Sequence, residues 1–300
     1  MLNKSRLIPE FPKEILEGLL PSENYLITHA NLSVEQLNGL SSKLPERYGW
    51  RFRTSEAFNA EVESLLQNAA DMFPVNLLYW KDTLGNCEAY SLMNAWRMTD
   101  IAQSGILALA RNDTICASLL ARSGLETAAQ FVDFARTVSA TLDLFTTEKI
   151  QPGSPLDPAI DLHTTVLASE VLEKYLLKTI FVSRLSDADE LYKPTNIVTI
   201  ISRIAKSPGQ EAVRPAYDLL CEVAHPNFLG RSLYLLDAKP GPREGDEVRT
   251  IGPGHGPIEQ RVVEAAVTAI SWACWTQVTA FGLMSETIKA MVARLTAVNK

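Results

Sequence analysis

The sequence predicts an all-α protein: an antiparallel helical bundle of long helices that carries a Gly/Pro-rich flap or small hairpin. Three observations predict it. From Asn86 onward, apolar residues return at three- and four-residue steps through Ala/Leu-rich stretches with few internal Gly or Pro. The breaks between those stretches are short, and short connections favour antiparallel neighbours. The chain has 300 residues, 46% of them hydrophobic and 21% charged, which is enough apolar material for a sizeable core.

Residues 1–54 carry Pro9, Pro12, Pro21 and Pro45 and read as a Pro-broken N-terminal arm or cap. Within it, Ser33-Val-Glu-Gln36 has the form of a capping box and is expected to start a short helical piece. Trp50-Arg-Phe-Arg-Thr54 reads as an extended connection, after which Thr54 or Ser55 caps a helix that runs to Met72 and stops at Pro74. The helical bundle domain is expected over 55–300.

Inside that domain, Leu92, Ala95, Trp96, Thr99, Ile101 and Ala102 fit a helix ending near Asn112. Asp113 is placed to cap the next, which continues through Leu119, Leu125, Ala128, Phe131, Phe134 and Val138 to about Phe145. Gln151 to Pro158 is a break. A further long helix is expected from Pro158 to about Leu185, a shorter one after Pro194-Thr195, and another over Gln210 to Ala224, ended by Pro226. The flap falls at about 229–257, where Leu233-Tyr-Leu-Leu236 and Val248-Arg-Thr-Ile251 flank Pro240-Gly-Pro-Arg-Glu-Gly-Asp246 as a hairpin or an irregular loop. Pro257 opens the last helix, expected to reach about Val298 and to span about 60 Å at a rise of ~1.5 Å per residue.

A formal charge of −7 disfavours broad attraction to nucleic acid or anionic lipid, so RNA as a partner has no support from net charge. Cys87, Cys116, Cys221 and Cys274 are scattered without a Cys-x-x-Cys pair, which predicts reduced thiols and no zinc knuckle. With no apolar stretch before Pro9 and Glu10 to act as a secretory signal, the expected compartment is cytoplasmic. Ala265 to Ser285 is uncharged, but its Thr, Ser, Gln and Gly content makes it a central buried helix rather than a membrane span. The long C-terminal helix, apolar on more than one side, predicts a homodimer. No Gly-x-Ser-x-Gly, His-Glu-x-x-His or Gly-x-Gly-x-x-Gly occurs. Glu222-Val-Ala-His225 is a Glu-x-x-His step without the second copy that a di-metal carboxylate bundle uses, so neither metal nor cofactor is expected.

Two distant helical segments place polar groups on faces that otherwise read as buried. In Arg122-Ser-Gly-Leu-Glu126 the charges are four apart and share one helix face. In Tyr217-Asp-Leu-Leu-Cys-Glu-Val-Ala-His225-Pro-Asn227, Tyr217, Cys221 and His225 step along one stripe and His225 stands at the helix end. Two readings stay open. In the first, Glu126 orients His225 as acid or base, Arg122 holds an anion, and Tyr217, Cys221 and Asn227 line the binding surface. In the second, the same groups form a buried polar network that fixes helix register.

Arg-Ser-x-Leu-Glu, followed about ninety residues later by Tyr-x-x-Leu-Cys-x-x-x-His-Pro-Asn, resembles a broad group of all-helical bacterial proteins over residues 86–230. More remotely it resembles the HEPN (higher eukaryote and prokaryote nucleotide-binding) domains of RNA-cleaving toxins and defence systems. The resemblance implies an RNA-binding or RNA-cleaving role in bacterial defence or stress, with His225 and Arg122 on the phosphate. HEPN nucleases carry an Arg followed, after four to six residues, by a His on one helix. Here Arg214 is too far upstream of His225, and Gly252, Pro253 and Gly254 stand between Arg249 and His255. The alternative is a non-catalytic helical scaffold or interaction subunit.

Overall fold

The computed structural model describes residues 21–51, 53–68, 73–146, 162–180, 193, 195–225, 227–252 and 259–297. The protein is all-α. Nine helices among the described residues are α1 (Pro21–Ser41), α2 (Ser55–Asn68), α3 (Phe73–Ala110), α4 (Thr114–Thr146), α5 (Leu162–Ile180), α6 (Ile197–Ile204), α7 (Val213–Ala224), α8 (Phe228–Ser232) and α9 (Glu259–Ala297). Two strands, β1 (Leu235–Pro240) and β2 (Glu247–Ile251), lie between α8 and α9. The expected flap is therefore a hairpin. Pro9, Pro12, the break at 151–158, the expected helix ends at Pro158 and Leu185, Pro194, Pro226 and the segment 253–258 with His255 lie outside the described residues.

The helix ends follow local chemistry. Pro21 is the first residue of α1, where the missing N–H costs nothing. Ser33 does not start a helix: α1 runs through it, and Ser33 is buried in the helix interior. Thr54 Oγ1 accepts the Ala57 N–H at 3.3 Å and caps α2, as expected. That helix is described to Asn68, its expected end at Met72 lies outside the described residues, and Pro74 falls in the first turn of α3. Asn112 adopts φ 54°, in the left-handed region, and closes α3. Asp113 N–H then bonds to Ala108 O at 2.9 Å and Asn112 N–H to Leu109 O at 3.0 Å, the paired arrangement of a Schellman end. Asp113 Oδ1 in turn accepts the Cys116 N–H at 3.1 Å and starts α4. The five-residue α8 was not expected.

Two compact units draw on separated stretches of the chain. The first comprises 1–44, 96–129 and 197–278; the second, 45–95, 130–196 and 279–300. Helices α3, α4 and α9 each contribute to both.

In the first unit the helix faces are spaced for burial. Met98, Ala102, Ile106 and Leu109 of α3, Ala117, Ala121, Leu125 and Ala128 of α4, and Val262, Ala266, Ile270 and Ala273 of α9 are all buried. α6 buries Ile197, Ile200, Ile201 and Ile204, and α7 buries Val213, Ala216, Tyr217, Leu220 and Val223. Arg97 Nε donates to Thr127 Oγ1 at 3.3 Å, while Gly105 lies beside Leu120, so α3 and α4 run antiparallel here. At Gly124 a Cβ would sit 3.1 Å from Met98 Cε and 3.3 Å from Ile101 Cγ2; the missing side chain lets α3 and α4 approach. Of the uncharged run Ala265 to Ser285, 265–277 is exposed only at Trp275, whereas Thr279, Gly282 and Leu283 are exposed, so the buried helix that the sequence predicts is found over the first part of that run. No helix among the described residues is long and apolar enough to cross a membrane.

The second unit is built on larger side chains. Trp80, Leu84, Cys87 and Tyr90 of α3 pack with Phe131, Phe134, Val138 and Leu142 of α4, Leu172 and Leu176 of α5, and Met284 and Met291 of α9. Tyr90 and Phe134 meet edge to face with ring centroids 4.6 Å apart. Burial pushes the Cys87 thiol up to about 12, and all four cysteines are free.

Candidate functional site

On α4, in the first unit, the four-residue spacing does what the sequence predicts. Arg122 Nη2 lies 3.1 Å from Glu126 Oε1, with the two side chains 28% and 29% exposed. The same oxygen accepts the Tyr217 hydroxyl of α7 at 3.1 Å. The Arg122 guanidinium stands 6.0 Å from the centre of the Tyr217 ring, at the outer range of a cation–π contact. Tyr217 is only 4% exposed, which places this carboxylate at the edge of a buried face.

Burial and neighbouring groups shift two members of the cluster. Burial, the Cys221 thiol and the Glu126 charge together raise the Tyr217 phenol well above its ordinary value. Burial lowers the Arg122 guanidinium, but the Glu126 carboxylate, Cys221 and Tyr217 outweigh it and the net direction is up. At neutral pH Arg122 therefore stays a cation and Tyr217 a neutral hydroxyl donor. Arg122 Nε is buried without a hydrogen-bond partner.

His225 does not join this cluster. α7 ends at Ala224, and His225 adopts φ −90°, ψ 155°, which turns the chain after it out of the helix. The side chain is exposed and makes no hydrogen bond to Glu126. Its backbone is engaged instead: His225 N–H bonds to Cys221 O at 3.1 Å and Asn227 N–H to His225 O at 2.7 Å. Asn227 donates its side-chain Nδ2–H to Glu222 Oε2 at 2.9 Å, so the acidic partner near the His is itself turned to Asn227. Helical spacing pairs Arg122 with Glu126, and the packing of α7 brings Tyr217 to the same carboxylate, while His225 and Asn227 make their hydrogen bonds elsewhere. Among the described residues no group of three or more His, Cys, Asp or Glu side chains is placed to hold a metal ion.

A concave site that the sequence reading passed over lies in the second unit. An open cleft of about 520 Å³ is lined by Arg53, Thr54, Phe58, Tyr79, Asp82, Asn86 and Glu173, among others. The Arg53 side chain is 10% exposed and sits between two carboxylates, Nη1 3.5 Å from Glu61 Oε2 and Nε 3.8 Å from Asp82 Oδ1. Both distances exceed a hydrogen bond, and Nε and Nη1 are buried without one. Burial raises the Asp82 carboxyl against the opposing pull of Arg53. Asn86 donates to Asp82 Oδ2 at 3.4 Å and accepts the Trp50 indole N–H at 3.0 Å. Such a wall of mixed charge can hold a small polar molecule by ion pairing. The available signal was Arg53 next to the cap Thr54, with Asp82 and Asn86 one helical turn apart on α3.

Comparison with protein-family models, with curated proteins and with solved structures found no match for this chain.

Proposed function

We propose that this protein is a non-catalytic helical scaffold, an interaction subunit whose docking element is the β1–β2 hairpin. The observation that carries the reading is the exposure of that hairpin. All of β2 and the last four residues of β1 are exposed, with Ile251 74% and Val248 55% accessible. Phe228 and Tyr234, next to the hairpin in sequence, are 67% and 45% accessible. An isolated two-stranded ribbon is marginal in water, and open strand edges are templates for pairing with another chain.

The polar cluster supports the same reading. Glu126 Oε1 is engaged by both Arg122 and Tyr217, so the carboxylate that would tune a catalytic His is committed to tying α4 to α7. The HEPN-like reading, RNA cleavage with His225 on the phosphate, needs Glu126 to tune His225, whereas Glu126 accepts from Tyr217 and His225 is exposed.

Incubation of the wild-type protein with labelled single-stranded RNA tests the choice. The scaffold reading expects intact RNA, a lower melting temperature for Tyr217→Phe and an unchanged one for His225→Ala. RNA cleavage by the wild type that disappears in His225→Ala overturns it in favour of the HEPN-like nuclease.

A further inference from the structure

The partner at the hairpin can be read from its backbone and its charges, given the interaction-subunit reading. Gly241 N–H bonds to Asp246 O at 2.8 Å, and Gly252 N–H bonds to Tyr234 O at 3.1 Å. Inward and outward bonding alternates along an antiparallel strand. With 246 and 252 turned toward β1, residues 248 and 250 turn inward too. Glu247, Arg249 and Ile251 therefore present their amide and carbonyl groups on the outer edge of β2. The register agrees, with Lys239 opposite Val248 and Ala238 opposite Arg249. The two edges differ. β1 ends in Pro240, which has no N–H to offer, whereas β2 contains no proline.

The charges on β2 are self-complementary in one register. Within one copy, Arg249 Nη2 contacts Glu247 Oε2 at 2.8 Å, with both side chains about half exposed. Let a second copy of β2 run antiparallel to the first, with the twofold axis at Val248. Glu247 then faces Arg249 of the second copy, and Arg249 faces Glu247. Both residues are outward-bonding, so these two facing pairs are the hydrogen-bonded ones and give four backbone bonds. The Val248 pair at the axis is the non-bonded kind, in which side chains approach most closely. A twofold axis at Arg249 instead puts like charges opposite each other. Backbone parity permits both registers; charge selects the one about Val248, which also brings the two exposed Val248 side chains together at the axis.

We infer that two copies of this chain associate through their β2 strands, antiparallel about Val248, to form a four-stranded sheet across the twofold axis. The interface is isologous: each Glu247 meets an Arg249.

Solution mass by light scattering tests this on the full chain. The wild type is expected to be a dimer. Arg249→Glu places two carboxylates opposite each other and Glu247→Arg places two guanidinium groups opposite each other; each is expected to weaken dimerisation by about tenfold or more. The double exchange Glu247→Arg/Arg249→Glu restores both pairs and is expected to restore the dimer. All three changes fall on exposed residues, and circular dichroism checks that the helices are unchanged. A monomeric wild type, or a dimer indifferent to the single exchanges, overturns the proposal. A dimer that survives Arg249→Glu but is lost with Trp275→Asp assigns the contact to α9, which overturns the β2 interface and leaves the scaffold reading standing. RNA cleavage dependent on His225 is the separate failure of that reading.

Discussion

Tyr217 carries more of the polar cluster than either charged residue. It is the group that joins α7 to α4, and it does so through a single hydroxyl on Glu126 Oε1. Tyr217→Phe removes that bond while keeping the ring, and is expected to lower stability by about 1.5 kcal/mol, read from the denaturation midpoint. The pH dependence has a defined sign. The folded Tyr217 phenol lies above its unfolded value of about 10, so its contribution is fully present below that pH and is lost as pH rises through the folded value. Tyr48, pushed up to about 12 by burial and by its bond to Glu88, titrates in the same direction. Melting temperatures measured from pH 9 upward should fall, and Tyr217→Phe should flatten part of that fall. An unchanged alkaline slope in the variant would remove Tyr217 from the account.

At the scale of elements, caps and close approaches decide where helices end and how they meet. Asp113 closes one helix end and opens the next, so Asp113→Ala loses a cap worth about 1 kcal/mol. Loss of helical signal at a lower denaturant concentration is the check. Gly230 of α8 is more constrained: a Cβ there would lie 2.9 Å from Val223 O and 3.3 Å from His225 O, both backbone atoms. Since neither can swing aside, Gly230→Ala is expected to cost roughly 1–3 kcal/mol and to displace α8 from the end of α7. A variant as stable as the wild type would show that this end of the chain yields freely. The contrast with Gly105 is instructive, because its nearest neighbour is the tip of Ile270, a side chain that can rotate.

At the scale of the whole molecule, the net charge of −7 is distributed over a protein whose hairpin charges pair within each strand. Lys239 meets Asp237 at 3.0 Å on β1, just as Arg249 meets Glu247 on β2. No broad cationic surface follows from that balance, and a random-sequence RNA should show no mobility shift at about 0.15 M salt, where surface attraction is screened beyond ~8 Å. A shift that vanishes as salt is raised would reveal a local basic patch and reopen the nucleic-acid reading. The mixed-charge cleft at Arg53 and Asp82 belongs to the other unit and is independent of both tests.

Local chemistry made much of this protein legible in advance. Helical spacing gave the all-α class, and the caps at Thr54 and Asp113 act within four residues of themselves. The Gly/Pro cluster at 240–246 marks a hairpin, and Arg122 and Glu126 pair because i and i+4 share a helix face. Ser33 misled because a capping pattern looks alike at a helix start and in an interior turn until neighbouring packing chooses. What only the tertiary structure decided is which distant side chains meet. Tyr217 reaches Glu126 across 91 residues. His225, expected there, is exposed at the end of α7, where the chain turns out of the helix. Arg53, Asp82 and Glu173 come from three separate segments to line one cleft. Periodicity reports the face on which a residue lies; only the packing of helices against one another determines what that face meets.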